Sequence, residues 1–177
     1  MQMLHAGGIQ TTGQWPAFED EATQMEPFAR AAWYRENEGR AIKVLDPHHW
    51  APPPGLDYRV IWLDRAVKEQ AKSQQKFVRA MTKGVFATGR EQARGLERAL
   101  VRERVPALYI LRALSTRILP IQFETVLSQP LSVSLIIKDF LYPLGLNEDR
   151  AAGVVRKRGP ACLPDFLEDQ LVEEGEP

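Results

Sequence analysis

An arginine and a serine eight positions apart are the residues best suited to hold an anion. Arg65 follows the short apolar run Tyr58–Leu63, and Ser73 lies two turns into a basic helical pattern. A guanidinium donates two parallel hydrogen bonds to a phosphate, and a helix start adds N–H groups and a favourable dipole. Tyr58–Phe77 therefore predicts a strand that leads into an anion-binding helix. The alternative is that Arg65 only ends the strand and Ser73 is a solvated helix residue.

Strands and helices alternate along the chain. Apolar runs of strand length, bounded by turn residues, predict strands at Arg40–Leu45, Tyr58–Leu63 and Arg117–Phe123. Helical spacing and capping residues predict helices at Met1–Ala6, Pro27–Tyr34, Ala66–Lys83, Thr88–Arg104 with a continuation over Ala107–Ser115, Pro130–Leu141 and Asn147–Val155. This order is typical of an α/β fold, a parallel sheet flanked by helices that binds ligands at the carboxyl ends of its strands.

Two of these helices have apolar residues at helical spacing, which predicts their buried faces. For the helix after Arg65 these residues are Val67, Ala71, Val78 and Met81. For the helix that begins at Pro130 they are Val133, Ile136, Ile137, Phe140 and Leu141. Pro120 within the third strand favours an edge position, because proline has no N–H to donate to a neighbouring strand.

The composition indicates one domain over residues 1–177, because 44% of the residues are hydrophobic and a chain of this length can bury a sizeable core. Lysine and arginine number 23, as do aspartate and glutamate, so we expect no nucleic-acid partner and any anion site to be local. The acidic segment 166–177 is expected to be frayed.

The single cysteine, Cys162, excludes an internal disulfide and a zinc site built from cysteines. We expect no bound metal. The first residues do not follow the pattern of a secretory signal, and no apolar window approaches the roughly eighteen residues of a membrane span. The sequence therefore predicts a soluble, cytoplasmic protein without a membrane partner.

Three segments of the chain resemble a known family. The first, Ala41–Ser73, contains Ile42-Lys43, Pro47, a loop that ends in Pro52–Pro54, the strand start Tyr58-Arg59-Val60-Ile61, and then Arg65 and Ser73. The other two are IQFETVLSQPLSVSLIIKDFLYPLGL at Ile121–Leu146 and MQMLHAGGI at Met1–Ile9. Together they resemble the sulfotransferase-like P-loop family, especially its bacterial branch. Met1–Ile9 is similar to the helix that follows the phosphate loop of that family.

The resemblance implies a P-loop NTPase-like sheet of the sulfotransferase type. It implies transfer of a sulfuryl group from 3′-phosphoadenosine 5′-phosphosulfate to a hydroxyl or amine of a small-molecule acceptor. In the family, the arginine and serine that match Arg65 and Ser73 bind the 3′-phosphate of the nucleotide. Lys43 matches the lysine at the sulfate-bridging position, where an ammonium stabilises charge on the leaving phosphate oxygen. The alternative for Lys43 is a lysine that extends out of a half-buried strand.

The family resemblance also suggests a catalytic base. The cytosolic animal enzymes have a histidine two residues after this lysine, where the present chain has Leu45. His48 and His49 follow in the proline-rich loop Asp46–Pro54, and either could act as the general base for the acceptor. The alternative is that both are surface loop residues.

The resemblance assigns three further regions. Arg156, Lys157 and Arg158, which precede Gly159, resemble the Arg-Lys-Gly loop that closes over the nucleotide. The alternative is an ordinary basic end of a helix, which the helix dipole favours. Thr11–Asn37 and Lys83–Arg90 are expected to shape the acceptor pocket.

One departure from the family leaves activity open. The first strand and the glycine-rich loop that holds the 5′-phosphosulfate are expected before Met1, and no phosphate-loop motif occurs in the sequence. Three accounts follow: a truncated reading of a longer enzyme, a second chain that completes the sheet, or a degenerate member kept for binding or assembly. The non-catalytic alternative predicts self-association, or a partner chain, that covers an apolar surface near Met1–Ile9.

Overall fold

The computed structural model describes residues 1–19, 25–81, 90–115 and 117–156. Within them the protein is α/β, with seven helices and a small parallel sheet of two strands. The helices are α1 (Gln2–Ala6), α2 (Pro27–Glu36), α3 (Val67–Met81), α4 (Arg90–Leu114), α5 (Phe123–Ser128), α6 (Pro130–Phe140) and α7 (Glu148–Gly153). The strands are β1 (Val60–Asp64) and β2 (Ile118–Gln122).

The sheet pairs β1 with β2 in parallel, from Val60 opposite Ile118 to Asp64 opposite Gln122. Parallel strands require a long crossover connection, and here α3 and α4 lie between them in the chain. Pro120 is exposed and stands opposite Trp62. Within the described chain β2 pairs only with β1, so the edge position that Pro120 favours is the one observed.

The main core lies between the sheet and the helices near the two ends of the described chain. Val133, Ile137 and Leu141 form the buried stripe of α6, as the spacing predicts. Ile136, also predicted to be buried, is 52% exposed, because it lies one residue outside this stripe. The core is completed by Ile9, Ile121, Leu146 and Ala151, with Met3, Leu4, Ala41, Ile61, Leu119, Val126 and Phe140 packed against it.

The chain divides into two compact units. Unit 1 comprises Met1–Asp64 and Ala107–Lys157, and unit 2 contains Arg65–Pro106. In unit 2, Ala71 of α3 is buried as predicted, whereas Val78 is 40% exposed because it lies on the outer side of the helix. The side chain of Met81 lies outside the described part of the chain. The single domain expected over residues 1–177 stays a prediction.

The prediction of a strand at Arg40–Leu45 is wrong, because the segment pairs with a neighbour only at Ala41. It is reduced to an isolated parallel bridge between Thr11 and Ala41, in which Thr12 N donates to Ala41 O at 3.0 Å. Gly13, whose φ is +72°, turns the partner segment away directly after Thr12. Among the residues that the structure describes, those after Ala41 therefore have no neighbouring strand to pair with.

Helix α4 runs through Pro106 as one element, where the sequence predicts a separate continuation. Proline removes one backbone hydrogen bond and crowds the preceding turn. The helix is held together after it by burial, because Ala107 is 3% exposed and Leu111 is 6% exposed. The predicted start at Thr88 lies outside the described residues.

None of the helices in the described ranges is long and apolar enough to cross a membrane.

Candidate anion-binding site

The order of strand, arginine and helix predicted around Arg65 is observed. β1 ends at Asp64, and α3 begins two residues after Arg65, at Val67. Ser73 is half-buried in the second turn of α3. It lies about 9 Å along the helix axis from Val67, at the usual rise per residue. Helix spacing places Ser73 on the same side of α3 as Gln70, about one turn beyond the first N–H groups of the helix.

A polar pair that the sequence analysis missed lies at the carboxyl ends of both strands. Gln122 Nε2 donates to Asp64 Oδ2 at 3.1 Å, which joins the last residue of β2 to the last residue of β1. Each of these residues directly follows an apolar run, and parallel strands bring their carboxyl ends to one edge. The two apolar runs are visible in the sequence, but their last residues are 58 positions apart, so the sequence alone does not show that they pair.

Lys43 is held by two neighbours from an earlier loop. Its Nζ donates to Ala17 O and to Glu19 Oε1, both at 2.9 Å, and its side chain is 28% exposed. The charge of Lys43 also acts on the α-amino group of Met1: burial lowers the pKa of that amine, and Lys43 lowers it further. Lys43 is therefore half-buried beside the start of α1, with a carboxylate that balances its charge.

A cavity of about 510 Å³ lies beside this ion pair. Ala17 and Glu19, the two partners of Lys43, are among its lining residues. The others are Gly13, Gln14, Trp15, Met25 and Trp33. All of them fall within Thr11–Asn37, one of the two regions expected to shape an acceptor pocket. The other region, Lys83–Arg90, lies outside the described part except for Arg90.

His48 lies in a tight turn, where His49 N and Trp50 N both donate to Asp46 O, at 2.8 and 3.1 Å. Both ring nitrogens of His48 are buried and have no hydrogen-bond partner. The ring packs on His49, with 4.0 Å between the ring centroids. Both histidines lie in a loop; the side chain of His48 is half-buried, whereas His49 is exposed.

Arg156 is exposed and follows α7 by three residues. Lys157 and Arg158, the other two basic residues assigned to a nucleotide-closing loop, lie outside the described residues. The helix before them is capped as predicted, because the Asn147 side chain accepts from Arg150 N at 2.9 Å.

The candidate residues fall into two groups. Arg65 and Ser73 belong to unit 2, where Arg65 precedes α3 and Ser73 lies in its second turn, and Lys43 and His48 belong to unit 1. In the described ranges, no group of three or more histidine, cysteine, aspartate or glutamate side chains is arranged to hold a metal ion.

Comparison with models of known protein families, with curated proteins and with solved structures found no match to this chain.

Proposed function

We propose that the protein is sulfotransferase-like and binds 3′-phosphoadenosine 5′-phosphosulfate, or the bisphosphate left after transfer, with Arg65 and Ser73 on the 3′-phosphate. The observation that carries the proposal is the position of these two residues. Arg65 directly follows a parallel strand, and Ser73 lies on the helix that starts there. In open α/β sheets, this junction is where anionic ligands bind.

The donors at the start of α3 fit a phosphate. A guanidinium is a planar, permanently charged, bidentate partner for phosphate oxygens. The hydroxyl of Ser73 and the first N–H groups of α3 add neutral donors, which a phosphate accepts without a further change of charge. Lys68 and Lys72, exposed on the first two turns of the same helix, add to the positive potential.

On the proposed function, the bound nucleotide supplies the sulfuryl group, and the family resemblance assigns to Lys43 the contact with the bridging oxygen. For this contact, Nζ must exchange Glu19 for the nucleotide, since Glu19 neutralises it in the free chain. Glu19 is 59% exposed, so solvent screens the pair and the exchange costs little. The adjacent cavity, lined by Trp15 and Trp33, would receive an acceptor with an apolar or aromatic body.

Titration calorimetry with 3′-phosphoadenosine 5′-phosphate tests the nucleotide site. We expect binding, weakened about 10-fold to 100-fold by Arg65→Ala, because a hydrogen bond to a charged group contributes roughly 1.5–3 kcal/mol. Ser73→Ala is expected to weaken binding less. The matched control is Arg79→Ala, which removes an exposed arginine from the far end of α3.

Two results would contradict the nucleotide assignment. One is the absence of binding heat, both for this chain and for a form extended upstream by a phosphate loop. The other is an Arg79→Ala effect equal to that of Arg65→Ala, which would indicate diffuse attraction to a basic helix. Transfer of radiolabelled sulfate to a panel of aromatic alcohols and amines then tests the reaction itself.

A non-catalytic role in assembly is the second candidate. The apolar surface expected near Met1–Ile9 is largely covered within the chain, because Met3 and Leu4 pack against the core and Ile9 is buried. What favours association is α6, where Leu131, Leu135 and Ile136 are about half exposed. On this alternative, light scattering finds a dimer that Ile136→Asp dissociates, and a monomer at every concentration would contradict it.

A further inference from the structure

Helix α4 carries a local excess of positive charge that the balanced composition of the chain conceals. Four of its arginines recur at every fourth position: Arg90, Arg94, Arg98 and Arg102. All four are exposed, and the spacing places them along one side of the helix, about 6 Å apart. Of the acids in the same stretch, Glu91 is exposed, whereas Glu97 and Glu103 are half-buried. This arginine row is therefore about 18 Å long and faces solvent.

No carboxylate neutralises the arginine row within the described part of the chain. None of its four members forms an ion pair there, whereas Lys43, for example, pairs with Glu19. Arg98 Nε donates to Arg94 O at 3.3 Å, but this hydrogen bond is internal to the helix and leaves the charge unbalanced. Several guanidinium groups without a carboxylate partner favour a ligand whose negative charge repeats along its length.

The other exposed residues of α4 help to identify the class of partner. Leu96 and Leu100 lie on the opposite side from the arginine row and are half-buried. On the side of the row, Val101 and Val105 are 56% and 71% exposed. The exposed residues of 90–106 include no tryptophan, phenylalanine or leucine, the side chains that anchor a helix in a lipid surface. This side of α4 therefore fits a polyanion better than a bilayer.

We propose that α4 binds duplex DNA without sequence preference, with the arginine row on the phosphates that flank the major groove. Each DNA strand carries one phosphate per about 3.4 Å of helix axis, so arginines about 6 Å apart can each reach a separate phosphate. The major groove is about 12 Å wide and admits an α-helix with its side chains, whereas the corresponding groove of duplex RNA is deep and narrow.

The neutral total charge does not conflict with such a partner. It argues against diffuse attraction of DNA to the whole chain, but a local row of charges acts over about 8–10 Å at physiological ionic strength. Phosphates are the same at every base pair, which is why no sequence preference is expected. This inference does not depend on the proposed nucleotide site.

Fluorescence anisotropy of a fluorescein-labelled duplex DNA measures binding to the whole chain. Near physiological salt we expect a Kd of roughly 1–100 µM, and log affinity should fall with log salt with a slope of about −3.6, for four phosphates. The triple variant Arg94→Gln, Arg98→Gln, Arg102→Gln should weaken binding at least about 10-fold and reduce the slope to about −0.9. Glutamine is a good helix former, and circular dichroism verifies that the helix content is kept.

The matched control removes the same charge from unit 1. Replacing the exposed Arg35, Arg40 and Arg150 by glutamine should leave both the affinity for DNA and the salt slope nearly unchanged. The proposal is overturned if the duplex is not bound, or if the two triple variants lose affinity equally.

Two competing ligands complete the test. A duplex RNA of the same sequence should bind clearly more weakly than DNA, and equal affinity would overturn the placement of α4 in the major groove. Vesicles of phosphatidylcholine and phosphatidylserine should bind less well than DNA. Tighter binding of the vesicles, lost in the Arg94, Arg98 and Arg102 triple variant, would overturn the proposal by assigning the arginine row to a membrane surface.

Discussion

At the junction of α6 and α7, the fully buried hydroxyl of Ser134 lies 2.9 Å from Leu131 O and 3.0 Å from Glu148 O, and it can donate to either. Asn147 caps α7, and its own N–H donates to Gly7 O at 2.8 Å. In the turn 46–50 of the same unit, both ring nitrogens of His48 are buried without a partner. Arg30 Nη1 is also buried without a hydrogen-bond partner. The guanidinium of Arg30 lies 5.5 Å from the ring centroid of Trp50.

Buried polar groups that have hydrogen-bond partners are structural, whereas buried polar groups without partners are candidates for function. A buried donor or acceptor without a partner costs roughly 1–3 kcal/mol, so such a group lowers the stability of the fold. The hydrogen bonds of Ser134 and Asn147 are what a stable helix junction requires. The two buried nitrogens of His48 gain no hydrogen bond in the free chain, which makes this imidazole a candidate for a role other than stability.

The largest expected effect tests whether the helix junction carries the stability of unit 1. Leu146 is 2% exposed, and Leu146→Ala should lower the free energy of unfolding by about 2–5 kcal/mol through lost burial and the remaining cavity. The control is Leu144→Ala, because Leu144 is 50% exposed and its truncation should change stability by only about 0.5 kcal/mol. Urea denaturation measures both. Equal costs would mean that the junction is not the main core.

Gly7→Ala should cause the next largest loss of stability. A Cβ on Gly7 would lie 2.3 Å from Leu146 Cδ1 and 3.1 Å from Asn147 O, so either the side chain or the backbone must move. We expect a loss of about 1–3 kcal/mol from overpacking. The control is Gly153→Ala, where no neighbouring atom lies within 4 Å of the added Cβ.

A double-mutant cycle makes the Gly7 prediction specific. In the Leu146→Ala background, the contact at Cδ1 is gone, so Gly7→Ala should cost clearly less than it does in the native chain. An unchanged cost would assign the effect to Asn147 O or to the helix end rather than to the packing of α1 on Leu146.

Tyr58, outside the junction of α6 and α7, is a further polar group with a hydrogen-bond partner. Its contribution to stability depends on pH. Its hydroxyl donates to Pro53 O at 2.6 Å, and burial, the largest cause, raises the pKa of the phenol from 10.0 to about 12. The unfolded chain therefore loses this proton first. The contribution of Tyr58 is fully present below pH 10 and is lost as the pH rises toward 12.

Tyr58→Phe should cost about 0.5–1.5 kcal/mol at pH 8, the usual contribution of one hydrogen bond. Between pH 10 and pH 12, the variant should lose less stability than the native chain, because it lacks the shifted phenol. Tyr109→Phe, at a residue 73% exposed, serves as the control in the same urea titrations. Parallel pH profiles for native protein and Tyr58→Phe would contradict the assignment.

The sequence predicts the parts of this molecule that depend on local pattern. An apolar run followed by a basic amphipathic stretch identifies β1, Arg65 and α3, and a capping asparagine before two acids identifies α7. The predicted strand at Arg40–Leu45 fails because strand formation requires a neighbour, and Gly13 removes it. Helix α4 passes through Pro106 because burial of later residues outweighs the local cost of proline.

The polar contacts at the candidate site are less accessible to sequence reasoning. Glu19 and Lys43 are 24 positions apart, and no spacing rule relates a loop glutamate to a lysine at that distance. The pairing of Asp64 with Gln122 depends on strand register, which is fixed only when the whole sheet forms. The family resemblance identified Lys43 and His48 as candidates, and only the folded chain distinguishes the ion-paired lysine from the unpaired imidazole.

The smallest expected change in stability gives the sharpest test of this distinction. His48→Leu replaces two unpaired buried nitrogens with carbon, so the free energy of unfolding should stay the same or rise by about 1 kcal/mol. His49→Leu, at the exposed neighbour, is the control and should lie within about 0.5 kcal/mol of native. A loss of more than about 1 kcal/mol for His48→Leu would give this histidine a structural role, as for Ser134. If the proposed sulfuryl transfer is detected and His48 is its general base, His48→Leu should abolish transfer and leave the affinity for 3′-phosphoadenosine 5′-phosphate unchanged.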